Sequence, residues 1–406
     1  MRRRLTAPIC IFTLTMILTG VGILLVFSTG SVVAGSRVSR MRKQQLKVEK
    51  VYHPLTYDAL YLKKQAVWFG FGLFLLVLFY STDYTEITAK WKWFALLPIL
   101  LVLLAYIPGL GHRVNGALRW IRIGPFTVQP SEFAKLVLVV VTAAMLAERQ
   151  KVIRQFRRGF LPPVILALVA IGIIAKEDLG SAIVLAMIIG AIWFIAGIRL
   201  FHMMSLGPLV AGGVAFLCWL QPFRWERIKE WLWGGDAVKS WQPDQALIAV
   251  GTGGWTGLGL GMGIQKHYWV AAMHTDFIFA DLCEEVGYLG GCGVLLILLA
   301  LLLIGFRIAY RSPDFVGSLL AAGLTTMIAV PFLVNVAVVL RVLPTTGLAL
   351  PFISYGGSSL VTNLAAIGIL MNVAQKNEET QPARRRPVTV TLGGRLRSAF
   401  GRLAGT

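Results

Sequence analysis

The sequence predicts an all-α polytopic membrane protein with about ten transmembrane helices and one large loop between the seventh and the eighth. Three observations predict it. Hydrophobic residues make up 56% of the 406 and charged residues only 14%, where soluble domains carry roughly 25% charged. That leaves too little polar surface to hold a globule of this length in water. Apolar runs of about 20 residues, the length that crosses a bilayer, recur along the chain. Finally, eight of the nineteen carboxylates fall in one stretch, 222–285.

The first span, 8–30, follows Arg2-Arg3-Arg4 as a signal peptide would, and Val32-Val33-Ala34 faintly resembles a cleavage site. Its apolar run exceeds the roughly 7–15 residues of a signal core, so it reads as a retained helix. Further spans are expected at 65–82, 93–111, 132–147, 160–175, 181–199, 204–221, 286–306, 316–340 and 357–375, several interrupted by Gly or Pro such as Pro162-Pro163. Lipid offers no partner to a free backbone amide, so these segments must be helices packed on one another. The 222–285 loop carries Trp225, Trp231, Trp233, Trp241, Trp255 and Trp269, a density that suits an element at the membrane interface. The division is therefore a transmembrane domain over 1–375 and a flexible, basic, Pro/Arg/Gly-rich cytoplasmic tail over 376–406.

Lysine and arginine number 39 against 19 acids, a formal charge of +20. Such an excess suits nucleic acid, anionic lipid or an anionic substrate. The basic residues divide almost evenly between the two sides of the ten-span layout, which removes nucleic acid and leaves the orientation open. No G-x-x-x-x-G-K-[ST] loop is present, so nucleotide hydrolysis within the chain is not expected. The five histidines are scattered, with no zinc-binding spacing. Cys283 and Cys292 stand about 13 Å apart on a helix, too far to bridge. No cofactor is required, with a divalent cation left open.

Ionisable residues at span ends carry the chemistry, because each costs roughly 2.5–3.5 kcal/mol inside the bilayer. Glu132 and Lys135 open the fourth span three residues apart on one face, either a self-neutralising pair or a cavity wall. Lys176-Glu177-Asp178-Leu179-Gly180-Ser181 makes a tight turn. The glycines at 251, 253, 254, 257, 259, 261 and 263 suit either phosphate binding through backbone N–H groups or close packing of an irregular segment. Asp276, at the entrance to the eighth span, suits either a helix cap or a general base flanked by Arg224, Arg227 and Lys266. Asp276, Ala280 and Glu284 share a helical face. Pro344 to Ser359 holds Pro, Gly, Ser and Thr beside the last span, an irregular backbone tolerated at membrane depth only where protein or water covers it.

Pro351-Phe-Ile-Ser-Tyr-Gly-Gly-Ser-Ser359 resembles the signature of the SEDS (shape, elongation, division and sporulation) family, whose members include FtsW, RodA and SpoVE. Asn115 to Trp120, Gln129 to Lys135, Asp178-Leu-Gly180, Pro222-Phe-Arg224-x-x-Arg227, Gln245 to Gly254 and His274 to Phe279 match further family stretches in order. The resemblance spans roughly residues 10–375 and is nearest to the division-type members. It implies ten helices, both ends cytoplasmic, a large extracytoplasmic loop, and peptidoglycan polymerisation from lipid II. It makes the acidic side chain of Asp276 the catalytic one, and Trp120, Glu132, Lys135, Asp178, Gln245, Lys266, Ser354, Tyr355, Ser358 and Ser359 cavity or substrate residues, with Arg224, Arg227 and Lys266 as candidates to meet the phosphate charge. Two departures stand out: Tyr268-Trp-Val-Ala replaces the family's Tyr-Leu-Pro-Glu run, and Arg341 stands where a glycine usually precedes Leu-Leu-Pro-Thr-Thr-Gly.

The expected reaction is inverting glycosyl transfer from a polyprenyl pyrophosphate-linked glycan to lipid II, in the bacterial inner membrane at the septum. The expected partners are a class B penicillin-binding transpeptidase and divisome proteins. A lipid II flippase, an elongation-type polymerase and a division scaffold are the alternatives.

Overall fold

The computed structural model describes residues 7–43, 54–114, 117–124, 126–233, 241–268 and 273–380. Its helices are α1 (Ala7–Lys43), α2 (Pro54–Ser81), α3 (Tyr84–Ala89), α4 (Trp91–Phe94), α5 (Leu97–Leu103), α6 (Pro130–Glu148), α7 (Leu161–Glu177), α8 (Leu179–Ala196), α9 (Leu200–Met204), α10 (Gly207–Leu220), α11 (Pro222–Trp233), α12 (Trp241–Thr252), α13 (Gln265–Tyr268), α14 (Ile278–Arg311), α15 (Phe315–Val339) and α16 (Gly357–Thr380). Among the described residues nine segments are long and apolar enough to span a bilayer. They are not equivalent. In α15 and α16, 83% of the most apolar stretch is buried inside the protein, against 6% over Leu200–Leu220. The first two form the centre of the bundle with α6, and the last faces outward.

The third expected span differs. The segment Trp91–Tyr106 is broken into α4, α5 and a 3₁₀ turn at Leu104–Tyr106. Pro98 sits in the first turn of α5, where its missing N–H costs nothing, and Pro108-Gly109 stops the run before 111. At 1.5 Å per residue the segment reaches only about 24 Å. The chain then folds into strands, which an all-α reading did not contain: β1 (Gly111–Val114), β2 (Ala117–Ile123) and β3 (Phe126–Val128), an antiparallel sheet in that order. Val114 pairs with Ala117 and Ile121 with both Gly111 and Val128. The alternation through Leu118, Trp120 and Arg119, Ile121 is a strand period.

The eighth span begins at Ile278, eight residues before its expected start, and breaks at Gly287 (φ 76°, ψ −176°). The break releases the carbonyls of Glu284 and Glu285, which accept from the N–H groups of Leu258 (3.0 Å) and Gly259 (3.0 Å). In return Tyr288 and Leu289 donate to Gly254 and Trp255 (2.8 and 3.2 Å). A Cβ on Gly253 or Gly257 would run into the carbonyls of Cys283 and Glu285. Gly253 and Gly257 thus serve close backbone packing, and the N–H groups of Gly253, Gly257 and Gly259 are already donated to Ala249 O, Gly253 O and Glu285 O. At the other end, α16 continues past 375 to Thr380. Lys376 pairs with Asp83 at 2.7 Å and Asn377 donates to Ile308 O at 3.0 Å, so the bundle holds the first residues assigned to the tail. Residues 381–406 lie outside the described residues.

Candidate active site

Asp276 lies in the turn before α14, whose N-cap position is Phe277 and has no side-chain cap. It therefore does not cap the helix, and the helical face expected to join it to Glu284 starts after it. Three consecutive carbonyls of this turn are each held from outside. Tyr355 N–H donates to His274 O at 3.0 Å. Ser354 Oγ donates to Thr275 O at 2.5 Å. Asn335 Nδ2 donates to Asp276 O at 2.8 Å and to Leu348 O at 2.6 Å. Ser354 in turn accepts from Leu350 N–H at 2.8 Å, beside Phe352, which is buried at φ 66°, a left-handed backbone that an L-residue adopts at a cost.

The Asp276 side chain faces a cavity of about 370 Å³ lined by Arg227 and Glu230 of α11, Gln242 and Pro243 of α12, Phe277, Asn335, Val338 and Thr345 to Leu348. Gly347 opposes the carboxylate: a Cβ there would stand 3.6 Å from Oδ2. Arg227 donates to Thr345 O at 3.4 Å, so the cation that faces the acid is tied to the same wall. Burial pushes the Asp276 carboxyl above its ordinary value, Arg119 and Arg227 act downward, and Asp178 acts upward. The chemistry available is a carboxylate of raised basicity, in the field of Arg119 and Arg227, facing a space of ligand size.

A family match settles the wider kinship: the FtsW/RodA/SpoVE cell cycle protein model matches residues 9–379. The chain belongs to that family. It is 36% identical over 379 residues to stage V sporulation protein E of Bacillus subtilis (strain 168), covering 92% of this chain and 99% of that one. It is 33% identical over 380 residues to a Geobacter sp. (strain M18) protein named "Probable peptidoglycan glycosyltransferase FtsW", covering 93% and 99%. A solved chain from a study of how a peptidoglycan synthase complex coordinates polymerization and crosslinking superposes with a TM-score of 0.66 at 27% identity, covering 87% of this chain and 97% of that one.

The family motifs do different jobs in this fold. Asp178, the single residue between α7 and α8, caps α8 by accepting from Ser181 N–H (3.0 Å) and Ser181 Oγ (2.9 Å), and it pairs with Arg119 of β2. Glu177 beside it accepts from Leu118 N–H at 2.9 Å. Arg224 is buried and donates to Lys176 O at 2.7 Å, so it docks α11 onto this turn and is not part of the cavity lining. Glu132 and Lys135 pair at 2.9 Å. Glu132 Oε2, Trp120 Nε1 and Ser131 Oγ are buried without hydrogen-bond partners among the described residues. Ser358 accepts from Gln129 N–H at 2.8 Å, and Ser359 accepts from Asn363 at 2.7 and 3.2 Å; both are internal braces. Gln245 is half-buried on α12, the helix that supplies Gln242 and Pro243 to the cavity.

Lys266 is placed differently from its expected position near the phosphates. Its ammonium pairs with Glu285, lies 4.0 Å from Asp281 and donates to Ser28 Oγ at 2.6 Å. It is 6% exposed, with its ammonium turned to those partners. The reading from sequence missed Asn335, Glu230 and Gln242. Asn335 is the one amide in a helix whose other polar residues are Ser318, Thr325 and Thr326, and its signal is the cost of burying an amide. Among the described residues no group of three or more His, Cys, Asp or Glu is arranged to hold a metal ion.

Proposed function

We propose that the chain is a peptidoglycan glycosyltransferase that polymerises lipid II into glycan strands for septal wall synthesis, with both termini cytoplasmic and the Asp276 cavity on the extracytoplasmic side. The observation that carries this is Asp276 itself: a carboxylate of raised basicity on a rigidly held turn, facing a 370 Å³ cavity beside Arg227. Kinship with a protein named as a probable peptidoglycan glycosyltransferase FtsW supports the reaction class, and the cell cycle family match supports the division-type role.

In this mechanism Asp276 takes the proton of the acceptor sugar's 4-hydroxyl while its oxygen attacks C1 of the donor. The C1–O bond to the lipid pyrophosphate breaks, and the pyrophosphate departs with the electron pair, inverting the anomeric centre. Asp276 then releases its proton to water. Arg227 faces the charge that builds on the leaving phosphate. One base suffices, because pyrophosphate leaves without the second carboxylate that glycosidases use as general acid. Burial raises the basicity that a helix-capping carboxylate would lack.

Similarity to a chain from a peptidoglycan synthase complex supports a crosslinking partner, here a class B penicillin-binding transpeptidase. The test is purified protein with lipid II, the polymers resolved on a gel. Asp276→Asn is expected to lose at least about 10²-fold, the usual worth of a general base. Wild-type polymerisation by that variant sinks the assignment.

A further inference from the structure

We infer that Asn335 is a positioning residue for the Asp276 carboxylate, an inference that rests on Asp276 being the base. Asn335 sits about one turn before the end of α15 and is 2% exposed. Both groups opposite its side-chain nitrogen are carbonyls, Asp276 O and Leu348 O, so the amide must present its two N–H donors to them and the flipped orientation is excluded. One side chain therefore fixes two pieces of backbone together: the turn that carries the base, and the Gly347-Leu348 wall that faces it. The neighbouring carbonyls of the turn are held from a single other segment, through Ser354 and Tyr355. Asn335 is the tie from a central helix, and it alone among the three reaches the residue that bears the carboxylate.

The geometry gives a kinetic signature. Loss of this tie lets the carboxylate drift relative to the bound hydroxyl, and a displacement of about 1 Å can cost on the order of 10²-fold in rate. The α11 and α12 side of the cavity does not depend on this tie, so the loss falls chiefly on kcat and little on KM. Replacement by aspartate keeps the shape but sets a second carboxylate against the Asp276 turn, and a like charge raises the proton affinity of its neighbour.

The experiment measures kcat, KM for lipid II, the pH-rate profile and the melting temperature of purified Asn335→Ala, Asn335→Asp, Asp276→Asn and Asn377→Ala. Asn377 is the control: it is a buried amide donating to Ile308 O at 3.0 Å, near the end of α14 remote from Asp276. Both Asn335 variants are expected to lose on the order of 10²-fold in kcat with KM within about threefold. Asn335→Asp should also shift the acidic limb of the profile upward, and Asn377→Ala should keep wild-type kinetics. If Asn335→Ala does not yield folded protein, the isosteric Asn335→Asp decides alone. An inactive Asp276→Asn beside Asn335 variants of wild-type kcat overturns the positioning role and spares the base. Wild-type activity in Asp276→Asn overturns the base reading. A fall in melting temperature with kcat and the acidic limb unchanged makes Asn335 a structural brace and overturns the inference.

Discussion

Asp276 and Asp281 lie five residues apart, yet the fold gives their surroundings opposite purposes. Asp276 faces an open cavity with Arg227 across from it. Asp281 is fully buried with Glu284 and Glu285; the Lys266 ammonium pairs closely with Glu285 and lies 4.0 Å from Asp281, whose oxygens have no hydrogen-bond partner among the described residues. Glu284 is satisfied separately, by the N–H groups of Ile264 (2.9 Å) and Gln265 (3.1 Å). The difference lies in what each group's partners leave free. Glu285, spent on Lys266 and Ser28, and Glu284, spent on backbone amides, tie the loop, α1 and α14 together around Asp281. Asp276, whose turn is tied to the rest of the protein through three backbone carbonyls, keeps its carboxylate at the cavity wall, with Thr275 as its side-chain hydrogen-bond neighbour.

The largest effect expected from breaking this contrast is at Lys266. Lys266→Met leaves Glu285 buried without its cation, and removal of one partner from such a pair costs about 3–5 kcal/mol. The double variant Lys266→Met/Glu285→Leu should recover much of that, since an apolar replacement of the whole pair is often neutral. Thermal unfolding of the purified variants measures both. If Lys266→Met instead melts like wild type but does not polymerise lipid II, the lysine acts on substrate, and the contrast between the two clusters collapses.

A smaller effect is expected at Arg227. The side chain is exposed and faces the acid across a cavity, so solvent weakens its field, and Arg227→Ala should cost about tenfold in rate, or about 1.4 kcal/mol. The pH dependence is the sharper readout. A base works when deprotonated, and burial has raised the Asp276 carboxyl above the ordinary value, so activity falls as pH drops through that raised value. Arg227 acts downward on it; removing the cation raises it further and moves the acidic limb to higher pH. The deficit of Arg227→Ala should therefore widen on acidification. A limb that stays fixed or moves to lower pH separates Arg227 from Asp276.

Much of this was legible in the sequence because bilayers impose a blunt length rule: α6, α8, α15 and α16 lie within a few residues of their expected spans. Failures came where polar or strand-forming residues met apolar ones. Asp281, Glu284 and Glu285 made the first turns of α14 look like loop, since hydropathy cannot show that a buried lysine pairs with one of them. The alternating strands at 111–128 flank Asn115-Gly116, a dipeptide favoured between hairpin strands, but counting apolar runs hides a period of two. In the site, the Pro-, Gly- and hydroxyl-rich composition of 344–359 marked irregular backbone, and the chain there runs without a helix until Gly357. What Ser354 and Ser358 do there, bonding to Thr275 O and Gln129 N–H, depends on tertiary neighbours that no local pattern contains.

The smallest effect concerns Arg341, whose backbone lies in the left-handed region at φ 60°, where glycine is at ease and an L-side chain loses roughly 1–2 kcal/mol. The fold sets three things against that cost. Arg341 pairs with Asp244 of α12, its carbonyl accepts from Trp231 of α11 at 3.2 Å, and a non-glycine residue has less unfolded-state freedom to lose. The pair is about one-third exposed on each side, so it contributes at most about 1 kcal/mol. Relief of strain in Arg341→Gly then nearly cancels the lost pair and the added chain entropy, and stability should move by less than about 1 kcal/mol. Asp244→Ala should destabilise the wild type slightly and the Arg341→Gly background not at all. A melting series over the four proteins measures this coupling. A loss of several kcal/mol in Arg341→Gly would mean that α11 and α12, the helices that bring Arg227 and Gln242 over the cavity, are held chiefly by this one arginine.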